Sequence, residues 1–135
     1  MHLLARSTDY AVRALLYMAP KRGEVVSTSD LDRDLKLPRP FMRRILQVLQ
    51  KQGYLSSVKG HKGGFRLLMA PGKIRLIDLM RAFQGEISLG DCLFKKKVCG
   101  CVKTCPLRHE IKDLESVVLG RLSNITISRL MQGAS

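Results

Sequence analysis

The apolar residues Ala11, Val12, Leu15, Leu16 and Ala19 recur at the spacing of one helix face, with Ser7 or Thr8 placed to cap the helix. Pro20 and Gly23 end this pattern. After the apolar pair Val25 and Val26, the run Ser27, Thr28, Ser29 offers caps for a second, short helix through Leu35. Leu37 and Pro38 break it, and Pro40 suits the first position of a third helix. There Phe41, Ile45, Val48 and Leu49 form the stripe expected to be buried, while Arg43, Arg44, Gln47 and Gln50 fall largely on other faces. Gly53 terminates it.

Two short apolar runs follow, Tyr54–Lys59 and Phe65–Met69, separated by the Gly-rich stretch Gly60–Gly64. That pattern predicts a β-hairpin whose tip carries His61 and Lys62. Ile74 to Phe83 then predicts a further amphipathic helix, with Ile77, Met80 and also Leu76 and Phe83 as candidates for its inner face. From Pro106 to Leu122 the residues Leu107, Ile111, Leu114, Val118 and Leu122 form one continuous apolar stripe on a longer helix. Asn124–Ser128 leads into a short apolar turn at Leu130 and Met131. No internal repeat or low-complexity tract occurs. The expected fold is mainly α with a small β-hairpin.

Helix, short helix, turn, basic helix and basic hairpin, in that order, is the layout of a winged helix-turn-helix. In that motif the second helix of the pair enters the major groove and the hairpin lies along the backbone or minor groove. The charge agrees. The 135 residues carry 24 Lys and Arg against 11 Asp and Glu, a net +13, which calls for a polyanionic partner. From Leu35 to Ile77 there is no acidic residue at all, while ten Lys and Arg fall there. The expected DNA-contacting residues are Arg39, Arg43, Arg44 and Gln47 on the third helix and Ser57, Lys59, His61 and Lys62 on the wing. Arg43 and Arg44 suit either guanine edges or phosphates. RNA binding fits less well, because no paired aromatics are available to stack bases; Phe41 and Phe65 are assigned to the core.

A hydrophobic fraction of 45 % excludes wholesale disorder. No run has the length of a membrane span, and Met1–Asp9 has no signal-peptide pattern, so the expected location is the reducing cytoplasm. There, cysteines serve more often as ligands or sensors than in disulfides. Four of them occur as Cys92-x₆-Cys99-x-Cys101-x₃-Cys105, within fourteen residues. No pair has the two-residue separation of a thioredoxin-like dithiol. A nucleophile elbow, a phosphate loop and clustered carboxylates are also missing, so no enzyme is expected. Structural zinc sites show two tight ligand pairs, whereas these thiols spread along one loop and better suit an iron–sulfur cluster. Zinc in a winged-helix DNA-binding protein without a sensing cluster is the alternative. Lys95, Lys96, Lys97 and a helix starting near Pro106 would stabilise an anionic centre. The stripe on that last helix is expected to pair two copies, which would present two recognition helices to two half-sites.

The segments Ser7-Thr-Asp-Tyr-Ala-Val-Arg-Ala14, Leu55-Ser-Ser-Val-Lys-Gly60, Gly63-Gly-Phe-Arg-Leu67 and Leu122-Ser-Asn-Ile-Thr126, taken with the cysteine loop, resemble the IscR/NsrR/RirA-type bacterial transcription regulators. The resemblance spans nearly the whole chain. It implies a homodimeric regulator bound to a double-stranded DNA operator, whose affinity is set by an iron–sulfur cluster sensing iron, cluster supply, nitric oxide or redox state. It also implies Cys92, Cys99 and Cys105 as ligands. The IscR branch has five residues between its first two cysteines and a histidine third after the last; here the gap is six and His109 is fourth after Cys105. The NsrR branch carries an aspartate ligand on the first helix, matched by Asp9, while Cys101 fits neither pattern. The fourth ligand is therefore open among Asp9, His109 and Cys101, as is a two-iron or four-iron cluster. The expected organisation is one compact unit: DNA-binding head 1–84, cluster loop 85–105, and dimerisation helix with C-terminal segment 106–135.

Overall fold

The computed structural model describes residues 3–89 and 106–133. Helix α1 (Arg6–Met18) runs through the centre of the head, burying Ala11, Ala14, Leu15 and Met18. The expected stripe is displaced by part of a turn: Val12 and Leu16 sit at the margin of the core, while Ala14 and Met18 are inside it. Ser7 and Thr8 do not cap the helix. Ala5 is the N-cap residue and has no side-chain cap bond of its own. Instead, the Ala5 N–H donates to Oε1 of Gln84, far along the chain, at 2.9 Å. That bond satisfies one of the amides a helix start leaves open.

A 3₁₀ turn (Ala19–Lys21) leads to the short strand β1 (Val25–Val26), then α2 (Thr28–Leu35) and α3 (Arg39–Lys51). Ser27 caps α2 by accepting the Asp30 N–H at 3.0 Å, as its position predicts. Lys36 closes α2 in the left-handed region at φ 54°. Pro38 then precedes α3, whose buried face is Met42, Ile45, Leu46 and Leu49. Phe41 departs from expectation. It is 47 % exposed and meets the Tyr10 ring edge-on, at 6.4 Å between centroids.

Strands β2 (Leu55–Val58) and β3 (Gly64–Leu67) form the expected antiparallel hairpin, in register Val58 with Gly64 and Leu55 with Leu67. The pair Val25–Val26 adds a third strand on the other side of β3, giving sheet order β1-β3-β2. This close three-strand contact explains the two adjacent glycines. A Cβ on Gly64 would stand 2.2 Å from the Val26 carbonyl oxygen, and one on Gly63 would stand 2.3 Å from that of Val58. Phe65 packs against the core from a half-buried position, as expected.

After a 3₁₀ turn (Pro71–Lys73), Ile74 is buried in a short extended stretch rather than in a helix. Helix α4 (Leu76–Gln84) follows, burying Ile77, Leu79 and Met80. Helix α5 (Pro106–Ser123) has the predicted extent, and α6 (Ile127–Gly133) replaces the predicted apolar turn. The link between α5 and α6 returns to the head: Leu76 N–H donates to the Ile125 carbonyl at 2.8 Å, and Ile127 N–H to that of Ile74 at 2.9 Å. Ile127 is fully buried there. A second, smaller core joins α4 to the end of α5 through Ile77, Met80 and Leu122, with Val118 and Leu119 beside them. The apolar stripe of α5 therefore divides. Its last turns are occupied by α4, while Leu107 and Leu114 on the stripe, and Val117 beside it, are 61 %, 59 % and 64 % exposed.

Candidate nucleic-acid interface and cysteine loop

Helix α3 can present its outer face because its inner one is so strongly apolar. With Met42, Ile45, Leu46 and Leu49 fixed against the core, Arg43, Arg44 and Gln47 are left exposed on the remaining arc. Beside them runs β2 with Ser57, and beyond it the hairpin tip with Lys59, His61 and Lys62, all exposed. The turn closes with the Gly63 N–H donating to the Gly60 carbonyl at 3.0 Å. Gly60 has φ +112°, a conformation that side chains rarely adopt. Helix and wing are joined directly, since Gln50 Nε2 donates to Ser57 Oγ at 3.1 Å.

The electrostatics single out this surface. Of the ten cations between Leu35 and Ile77, Arg75 pairs with Asp78 at 2.9 Å and Arg39 with Asp32 at 2.9 Å. The others, Lys36, Arg43, Arg44, Lys51, Lys59, Lys62, Arg66 and Lys73, have no ion-pair partner among the described residues. On α1 and α2, Asp9 pairs with Arg13 at 3.0 Å, and Asp30 and Asp34 with Arg33 at 3.3 and 3.0 Å. Arg33 and the Tyr17 hydroxyl, both bonded to Asp34, hold its carboxyl below the usual carboxylate range.

Sequence reasoning missed Asp32 on this face, and it placed Gln50 off the buried stripe without foreseeing its bond to Ser57. Asp32 lies on α2, 18 % exposed, in a cleft of about 200 Å³ formed with Thr28, Ser29, Arg39, Met42 and Arg43. The separation of seven between Asp32 and Arg39 was visible, but its meaning depends on the turn at Lys36 that folds α3 back onto α2.

Cys92, Cys99, Cys101 and Cys105 lie outside the described residues. Their flanks do not. The Leu89 N–H donates to Glu115 Oε2 on α5 at 3.2 Å, and α5 itself starts at Pro106, the residue after Cys105. Of the other proposed ligands, Asp9 lies on α1 and is partly exposed, while His109 is exposed near the start of α5. Among the described residues no group of three His, Cys, Asp or Glu side chains is placed to hold a metal ion.

Residues 4–133 match the family model described as Rrf2, iron-dependent transcriptional regulator. The chain belongs to the Rrf2 family. It is a DNA-binding winged-helix transcriptional regulator; the proteins of this family are not enzymes. A relative in Aquifex aeolicus, named as an HTH-type transcriptional regulator, is 32 % identical over 131 residues, covering 96 % of this chain and 91 % of its own. The fold is shared with a Listeria innocua chain at TM-score 0.82 and 21 % identity, covering all of this chain and 89 % of that one. It is shared also with IscR of T. potens at TM-score 0.76 and 21 % identity, with coverage of 98 % and 88 %. CymR, the global cysteine regulator of B. subtilis, matches at TM-score 0.74 and 20 % identity over 98 % of both chains. No described helix is long and apolar enough to cross a membrane.

Proposed function

We propose that this Rrf2-family chain binds a double-stranded DNA operator as a homodimer in the cytoplasm, and that an iron–sulfur cluster held by its cysteine loop sets the affinity. The observation that carries the DNA part is the set of unpaired cations grouped on α3 and the wing. Arg39, Arg43, Arg44 and Gln47 enter the major groove, and Ser57, Lys59, His61 and Lys62 follow the backbone. Head 1–84, loop 85–105 and C-terminal segment 106–135 act as one unit, because the chain after α5 pairs its backbone with the stretch before α4. The apolar residues Leu107, Leu114 and Val117 meet their counterparts in the second copy, which spaces two heads for two half-sites.

The donor set fits a cluster: four thiols lie in fourteen residues directly ahead of a helix N-terminus. Cys92, Cys99 and Cys105 hold it, with the fourth position taken by Asp9, His109 or Cys101. When bound, the cluster supplies a redox-active and nitric-oxide-reactive centre. The protein's own part is to hold the loop ends, through Glu115 on one side and α5 on the other. Cys105 directly precedes Pro106, the first residue of α5, in sequence, and a position close to a helix N-terminus favours thiolate over thiol.

Anaerobic purification with iron and sulfide analysis tests the cluster, since a colourless zinc-loaded protein would exclude it. Binding of operator DNA against salt tests the interface. With about three to five phosphates neutralised per subunit, affinity should fall by orders of magnitude between low and moderate salt. A flat response would exclude the assigned surface.

A further inference from the structure

Resting on the DNA-binding reading above, we propose that Asp32 aims Arg39 at a guanine edge in the major groove, as an orienting residue that need not touch DNA itself. Arg39 is the first residue of α3, and the opening residues of a recognition helix are those that reach base edges. Its Nε donates to Asp32 Oδ2 at 2.9 Å, while its side chain stays 77 % exposed. With Nε engaged, both terminal amino groups remain as a parallel pair of donors, the geometry that matches guanine O6 and N7.

The charge balance separates this role from a phosphate contact. Asp32 is largely buried, at 18 % exposure, and its Oδ1 has no hydrogen-bond partner among the described residues. A carboxylate at the margin of a DNA-facing surface repels phosphate, and it cancels the net charge of the arginine it holds. A neutral pair releases little counterion and gains little from the backbone. What it keeps is direction, because one rotamer of Arg39 is fixed before DNA arrives. Arg43, which lines the same cleft, has no carboxylate partner among the described residues.

The test uses the full-length protein and two duplexes, one enriched by the wild type from a randomised pool and one of random sequence. Asp32→Asn/Arg39→Gln replaces the pair without changing net charge. Affinity for the enriched duplex should fall roughly 5- to 150-fold, the range of one bidentate base contact, with random-duplex affinity and salt slope unchanged. Asp32→Asn alone should lower the ratio of enriched to random affinity. Replacing one guanine of the enriched duplex by 7-deazaguanine should weaken the wild type but not the double variant. A double variant that weakens both duplexes equally, with a salt slope smaller by about one, would make Arg39 a phosphate contact and overturn the proposal. An unchanged ratio for Asp32→Asn overturns it as well. A wild type that enriches no duplex removes the DNA-binding reading and this inference with it.

Discussion

The Thr8 hydroxyl donates to Gln84 Oε1 at 2.8 Å, joining the first turn of α1 to the last residue of α4. The same oxygen accepts the Ala5 N–H, and Gln84 Nε2 donates to the Leu3 carbonyl at 2.9 Å. One carboxamide thus satisfies three groups of the N-terminal segment, including the only buried polar residue among those described. Gln84→Leu should leave the fully buried Thr8 hydroxyl without this partner and destabilise the fold by about 1–3 kcal/mol. Thr8→Val with Gln84→Leu should recover part of that loss. Urea unfolding of the single and double variants checks the coupling.

This clamp was beyond the reach of sequence reasoning, and the reason is general to the chain. Local signals worked where neighbours decide the outcome: the Ser27 cap, the Gly60–Gly64 turn, and Pro40 in the first turn of α3, one residue after the Arg39 that opens it. They failed where a distant residue decides. Thr8 reads as a cap by position, yet its hydroxyl donates to Gln84 and the helix starts at Arg6. Val25 and Val26 are too short a run to announce a strand, and they become one only because β3 offers an open edge. Phe41 looks like core by composition, but Met42 and Leu46 fill that space and turn it outward. The basic face was legible because it depends on charge counting. Asp32 was not, because its partner lies across a turn.

Gly64→Ala should break the wing. The added Cβ would meet backbone, the Val26 carbonyl, at 2.2 Å, so no side chain can move aside. Overpacking of this kind costs about 1–3 kcal/mol, and the strain falls on the β1–β3 pairing. Amide exchange should quicken at Val26 and Phe65 before it does in α3. Equal protection in variant and wild type would mean that β1 contributes nothing to holding the hairpin.

The Asp34 carboxyl offers a pH test. Its pKa is lowered by Arg33 first and by the Tyr17 hydroxyl second. A lowered folded-state pKa means that its contribution is present above the ordinary carboxylate range and lost as pH falls through the lowered value. Tyr17→Phe should move that pKa part of the way back up, because Arg33 remains. NMR titration of the Asp34 carboxyl carbon reads it directly, and an unmoved value would show that the hydroxyl bond does not persist in solution.

Leu114 is 59 % exposed in the isolated chain, on the face of α5 that α4 leaves uncovered. Leu114→Lys would place a charge in the proposed seam, costing several kcal/mol unless the helices part. Sedimentation should then show a monomer with weak operator binding, while thermal stability of the head changes little. If the variant stays dimeric with normal affinity, the copies meet elsewhere.

The last prediction concerns how the loop reaches the head. Its leading flank carries Leu89, held by Glu115 of α5, and its trailing flank runs into α5 itself. α5 packs through Leu122 on Ile77 and Met80 of α4, and α4 ends at the Gln84 clamp on α1. A change in the loop therefore acts first on the pose of α5, which in the proposed dimer sets the spacing of the two heads. Neither head should unfold, because its core is made by α1, α3, the sheet and residues packed on them, with no described loop residue among them. Linkage makes the effect reciprocal, and typical couplings of about 1–3 kcal/mol correspond to roughly 5- to 150-fold in affinity. Cys99→Ser should remove visible absorbance, keep helicity and the dimer, and shift operator affinity within that range. Glu115→Gln should weaken the coupling without removing the chromophore, since only the hold on Leu89 is loosened. Cys101→Ser should do little if Asp9 or His109 completes the site, and should reproduce Cys99→Ser if Cys101 is the fourth ligand. Unchanged operator affinity and sequence preference in Cys99→Ser would show that the loop does not regulate DNA binding, whatever it holds.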